Sequence, residues 1–279
     1  PQGTGGSAST STASGAGQGG GADQGGGGAT PAGSILVQLG DDLPSAIADR
    51  LLAHIEGAAP GEVVVVPPDD PIPTVSEGSI VVAFGDTSAR RELVSDEEIG
   101  DLPDEGYVLR SGEVAGLRAL VEDGVDAGGE SFGSGAVGAG FGAYALLEHL
   151  GFAFLHPLAP TAPPAIDLAF PEVDRTTSPR WPVRGLQLHT MHPLELTDLL
   201  NGWGLASPED RGGWESMLPE WDTFLEWSLA NGQNRVHWVL LWAEPWGDFG
   251  DGEERHARLE MLVEHAHVPS RLEQLVAEQ

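Results

Sequence analysis

Past residue 33 the chain alternates short apolar runs with stretches of helical spacing. Residues 35–39 (ILVQL), 63–66 and 79–84 (SIVVAF) are runs rich in β-branched side chains, bounded by Pro, Gly or Asp, which predicts strands; 106–109 suggests one more. Between the first two, residues 45–57 place Ile47, Leu51 and Ile55 on one helical stripe, with Gly57 as the stop. A second helix is expected over 142–150 (GAYALLEHL), ending at Gly151. These elements predict a small α/β sandwich over 34–158.

A Pro-rich stretch, 159–182, reads as a connector. After it the rhythm changes to strand (183–190, VRGLQLHT), helix (219–230), strand (236–242, VHWVLLW) and helix (254–266). The second of these strands is apolar almost throughout, as expected for a strand covered on both faces. The expected fold class is therefore α/β, with the accessory sandwich followed by the first two βα units of a (β/α)8 barrel over 183–279. A complete barrel needs about 250 residues, so this reading expects an incomplete barrel in a truncated or fragmentary chain.

Residues 1–33 contain 13 Gly and no apolar side chain larger than Ala. Such a stretch buries too little to offset the entropy of ordering it and reads as a flexible linker. It is similar to the linkers that follow the lipidated residue of bacterial lipoproteins. That makes a lipid tether upstream of residue 1, and an exported protein at the cell surface, in the periplasm or outside the cell, expectations of the sequence.

Composition narrows the chemistry. The 279 residues carry 43 acidic and 13 basic side chains, all of the latter Arg, for a formal charge of −30. That balance argues against nucleic acid or an anionic membrane as partner, and no apolar run is long enough to span a bilayer. Carboxylates in such excess describe solvation or genome composition first, so isolated acidic residues are weak site candidates. With no Cys, thiolate metal sites, disulfides and cysteine nucleophiles are excluded.

Several motifs have a plainer reading than their pattern invites. Gly133–Gly138 fits GxGxxG but follows no clear strand, and a glycine-rich turn into a closely packed helix explains it better. Gly129–Gly133 fits GxSxG around Ser131, again without the strand a nucleophile elbow needs. The His189/His192 and His265/His267 pairs specify no third ligand. No metal or cofactor is expected. The more informative group lies where loops would leave the two late strands: His189 and His192 after the first, Trp242, Glu244 and Trp246 after the second. Indole faces beside carboxylates suit a sugar, whose C–H face packs on the ring while its hydroxyls need polar partners.

At these residues the sequence resembles glycoside hydrolases of family 20, the β-N-acetylhexosaminidases. Residues 183–189 (VRGLQLH) are similar to the family's RGxxLD-type first barrel strand. Asn234, His237, Trp238, Leu240 and Trp246 in NRVHWVLLWAEPWG fall at matching positions of its second. Residues 144–157 (YALLEHLGFAFLHP) are similar to the end of the accessory domain in that family, and related α-glucuronidases have a similar domain. The resemblance implies a carbohydrate partner and makes Arg184 a donor to sugar hydroxyls, alongside His189, Trp242, Glu244 and Trp246. His189 stands where the family has Asp, and Trp242–Ala243 stand where it has an Asp pair, so the polar pattern is altered. The catalytic Asp-Glu pair after the family's fourth strand has no counterpart here, and no catalytic residue is assigned. The competing expectations are a non-catalytic extracellular carbohydrate-binding or scaffold module and a hydrolase built on Ser131.

Overall fold

In strand β1 (Ile35–Leu39) successive side chains point to opposite faces, and both faces are covered: Ile35 and Val37 are buried on one, Leu36 on the other. A computed structural model of the chain describes residues 33–43, 45–125, 137–189 and 218–239. All of these belong to one compact unit that begins at Pro31.

The remaining elements are helix α1 (Ser45–Ala58), β2 (Val63–Val65), β3 (Ile80–Phe84), α2 (Ser88–Leu93), α3 (Asp96–Gly100), β4 (Tyr107–Val114), β5 (Leu117–Gly124), α4 (Val137–His149), β6 (Asp174–Thr177), β7 (Gly185–His189), α5 (Leu218–Ala230) and β8 (Arg235–Val239). Six strands form one mixed sheet in the order β2-β1-β3-β5-β4-β6. β1, β2, β3 and β5 are parallel, whereas β4 runs antiparallel to both β5 and β6. β7 and β8 form a separate parallel pair. The chain is thus an α/β protein, and β7, α5 and β8 make a strand–helix–strand unit.

The sheet separates two apolar layers. On one face Ile47, Leu51 and Ile55 of α1 pack with α4 and with Phe224, Leu225 and Leu229 of α5. On the other, Ala89 of α2 and Val94 meet Val81, Val108 and Val121. The buried Gln38 is accommodated because every polar atom of its amide is used. Its nitrogen donates to the carbonyls of Pro67 and Asp70, and its oxygen accepts from the Ala89 amide.

Within the described residues the expected strands and first helix appear where the pattern placed them, residues 190 and 240–242 of the two late strands lying outside that range, and the differences have physical causes. β4 runs on to Val114 because Ala115 and Gly116, both at positive φ (52° and 80°), form a two-residue turn that returns the chain as β5. The segment expected as a connector contributes to the core through Ile166 and Phe170. It also adds β6 to the sheet edge, where Arg110 links Glu98 to Asp174 at 2.7 and 2.8 Å. The expected helix 254–266 lies outside the described residues.

Helix α4 begins five residues earlier than the 142–150 pattern suggested, through Gly138 and Gly140, because those glycines fit it against neighbours. A Cβ on Gly138 would lie 2.3 and 2.4 Å from the carbonyls of Val125 and Gly106. One on Gly140 would meet only side-chain carbons of Leu229 and Ile47, at 3.5 and 3.8 Å. Gly138→Ala should therefore cost about 2–3 kcal/mol by forcing the helix off the sheet. Gly140→Ala should be neutral or add up to about 1 kcal/mol through helix propensity. Urea unfolding of the two variants checks the contrast.

Candidate functional site

Strands β7 and β8 run side by side in register, Gly185 opposite Arg235 and His189 opposite Val239. Their amino ends are tied reciprocally. The Arg184 amide donates to the Asn234 side-chain oxygen, and the Asn234 amide donates to the Arg184 carbonyl, both at 2.8 Å. The Asn234 side-chain nitrogen reaches the Glu105 carboxylate at 3.0 and 3.1 Å and the Pro182 carbonyl at 2.8 Å.

The guanidinium of Arg184 belongs to the same knot. Its Nη1 lies 2.8 Å from Glu105 Oε2 and 2.8 Å from the Trp181 carbonyl, Nε donates to the Gly232 carbonyl, and Cζ sits 5.0 Å from the centre of the Phe141 ring. Only Nη2, which is buried, lacks an acceptor. Arg184 precedes β7, whereas His189 ends it, a strand length of roughly 16 Å away. The structure therefore brings Arg184 together with Glu105 and Asn234. His189 is brought beside Val239, the last described residue of β8. Trp242, Glu244 and Trp246 lie outside the described residues, as do His192, Ser131 and the His265/His267 pair. Among the described residues no group of three His, Asp or Glu side chains is arranged to hold a metal ion, and no helix is long and apolar enough to cross a membrane.

Two buried polar centres were not foreseen. The first surrounds Glu226 on α5, which is 6% exposed. Its carboxylate accepts from Arg50 at 2.8 Å and Tyr144 at 3.0 Å and lies 2.7 Å from His54 Nε2, whose ring meets Phe152 and Phe154 edge-on. Burial pushes this carboxyl up, but the hydrogen bond and charge of His54, the charge of Arg50 and the Tyr144 hydroxyl outweigh it and hold it below the ordinary value. Its only sequence signal is an acidic residue between the apolar positions of a helix, which is weak in a chain this acidic.

The second centre lies at the carboxyl ends of β1, β3 and β5, where Asp42, Asp86 and Asp123 lie near the buried Arg90 and Glu122 turns to the opposite face of the sheet, toward α4. β1 lies between β2 and β3, so α1 and α2 leave on opposite faces; in open α/β sheets that point often holds a ligand. Here Asp42 fills it, accepting from the Asp86 amide at 2.9 Å. Cβ atoms on Gly40 or Gly85 would collide with its carboxylate. A phosphate there would meet the Asp42 carboxylate in the space it would need. The signal for this centre was present as acidic residues directly after apolar strands (GDD, GD and ED), and the high acidity of the whole chain masks it.

These carboxyls are perturbed in different directions. Burial raises Asp42, and raises Glu122 well above the carboxylate range, with Asp123 and Asp42 adding to the effect on Glu122. Glu122 Oε1 accepts from the Gly85 amide at 3.1 Å, and Oε2 is buried without a partner. Burial also pushes Asp123 up to about 7, although Arg90 Nε is 2.7 Å from Oδ2. That approach lacks hydrogen-bond alignment, which limits what Arg90 can offset. Asp86 stays low because Arg91, then Arg90, grips it.

A pH dependence follows from the signs. Asp123 titrates near 7 when folded against 3.8 ordinarily, so between those values the folded chain holds the extra proton. Stability should therefore rise as pH falls from about 8 to about 5. It should fall again in stronger acid, as Glu226 is protonated and its bonds are lost. Asp123→Asn should flatten the first limb by on the order of 2–4 kcal/mol, read from urea midpoints across pH.

No protein-family model matches the sequence, and a search of curated proteins finds no match. Among solved structures, that of CpGH84D is similar to the chain with a TM-score of 0.36 and 15% identity, over 85% of this chain and 39% of that one. The chain therefore spans well under half the length of that protein.

Proposed function

We propose that this chain carries the sugar-facing start of a glycoside-hydrolase-like barrel in an exported carbohydrate-active protein. The observation that supports it is the in-register parallel pairing of β7 and β8 on either side of α5. In parallel α/β folds the loops beyond the carboxyl ends of the strands form the binding face. The pairing aligns His189 with Val239, and the positions just beyond Val239 are Trp242, Glu244 and Trp246. Indole rings offer flat apolar faces to the C–H side of a pyranose, and a carboxylate with an imidazole offers acceptor and donor to its hydroxyls.

In this reading Arg184 acts first as the tie at the amino ends, since Nε and Nη1 are bonded within the protein, and no catalytic residue is assigned. Export rests on the uncharacteristically long Gly/Ser/Ala stretch before residue 34. The similarity to family 20 enzymes supports a carbohydrate ligand, while the changed residues at 189, 242 and 243 leave the sugar to be found by screening.

Titration of tryptophan fluorescence with oligosaccharides of N-acetylglucosamine, glucose and glucuronic acid should show saturable binding of at least one. Trp242→Ala or Trp246→Ala should weaken it at least tenfold, the scale expected when a stacked aromatic is lost. Absence of binding across the panel, or binding indifferent to both substitutions, would sink the proposal. Binding without release of methylumbelliferone from the matching aryl glycosides would mark the chain as a non-catalytic binding module.

A further inference from the structure

Glu105 occupies a place in the backbone where a glutamate is costly. Residues 103–106 form a tight turn closed by the Gly106 amide on the Pro103 carbonyl at 2.8 Å. Glu105 takes its third position with φ +58°. Glycine or asparagine is preferred there, because a side chain at positive φ crowds its own backbone. Strain of this kind persists when the surroundings require that residue.

What the surroundings use is the carboxylate. It is 9% exposed and binds two residues from two strands, Arg184 before β7 and Asn234 before β8. Those residues also bond each other's backbone. Glu105 itself belongs to the turn that leads into β4 of the six-stranded sheet. One carboxylate therefore joins that sheet to both strands of the β7–β8 pair at the same level. A charged acceptor with two oxygens does this better than a neutral amide, since both oxygens accept from Asn234 and the negative charge faces Arg184 Nη1 at 2.8 Å as an ion pair.

We propose that Glu105 is a positioning residue. From its turn it fixes where β7 and β8 begin relative to each other, and so aligns their carboxyl ends, at His189 and Val239, the end of the pair to which the proposed function assigns the sugar. The last step rests on the proposed carbohydrate function; the alignment does not.

Hydrogen–deuterium exchange of the full chain, resolved by mass spectrometry, separates this role from that of a turn. Glu105→Gly removes the positive-φ penalty but also the carboxylate. Amides of 183–189 and 234–239 should then exchange about 10–100-fold faster, while β1 and β3 exchange at the wild-type rate. Glu105→Gln, which keeps an acceptor for Asn234 but loses the charge opposite Arg184, should fall between them. It should recover part of the sugar affinity that Glu105→Gly loses. Unchanged exchange in both strand segments of Glu105→Gly, or equal acceleration in β1 and β3, would overturn the assignment. Wild-type protein that binds no sugar while the exchange pattern holds would remove the carbohydrate reading and leave the alignment role standing.

Discussion

Helix α4 is held between two partners that both need its backbone close. From Val137 to Leu147 every residue is buried. On the sheet side Gly138 and Gly142 let the helix approach until a Cβ at either would strike the carbonyls of Val125 and Gly106 or the Glu122 carboxylate. On the other side Gly140 faces Leu229 of α5 and Ile47 of α1. Interiors packed to this density transmit position as well as stability. The sheet fixes α4, and α4 with α1 offers the surface that receives α5, the helix linking β7 to β8.

Apolar packing of this kind tolerates sliding, and the polar contacts limit it. Glu226 takes partners from α1 and α4, and Glu105 takes partners beside β7 and β8. Buried charges of this sort add little net stability over apolar replacements, but leaving one unpaired is expensive. Each therefore penalises any docking in which its partners are absent. The carboxyl cluster at the ends of β1, β3 and β5 differs, because Arg91 and Arg90 hold Asp86 charged while burial favours the protonated form of Asp123 and Glu122. Its effect is a domain tuned by acidity at one end of its sheet and held by ion pairs along the helical face.

The sheet was legible wherever an element announced itself by period or composition. β1 and β3 are β-branched runs, and α1 carries Ile47, Leu51 and Ile55 at helical spacing. β5 was not, because LRALVEDG includes Arg118, Glu122 and Asp123, residues that ordinarily mark surface. Here Arg118 bonds the Phe170 carbonyl and lies over the Phe170 ring, and the two acids are buried. Glycines obscured the start of α4, since their helix propensity is poor and their value lies in the neighbours they admit. β6 (DRTT) is a polar edge strand whose partner is far away in sequence. Arg184 and Asn234 stood out in the sequence as parts of strand motifs, whereas Glu105 sits in an unremarkable acidic turn. Nothing local reports that a distant residue will close the knot.

The separation of Arg50 from Glu226 by 176 positions also has a consequence for synthesis. The β4–β5 hairpin closes through a two-residue turn and needs no distant segment, and the six-stranded sheet is complete once β6 has been made. At translation rates of about 5–20 residues per second, α5 becomes available only several seconds later. During that interval the surface of α1 and α4 that will receive Phe224, Leu225 and Leu229 is a nascent groove without its helix. Arg50 and His54 at its rim remain solvated meanwhile, which keeps that groove from being a wholly greasy face on a ribosome-bound chain.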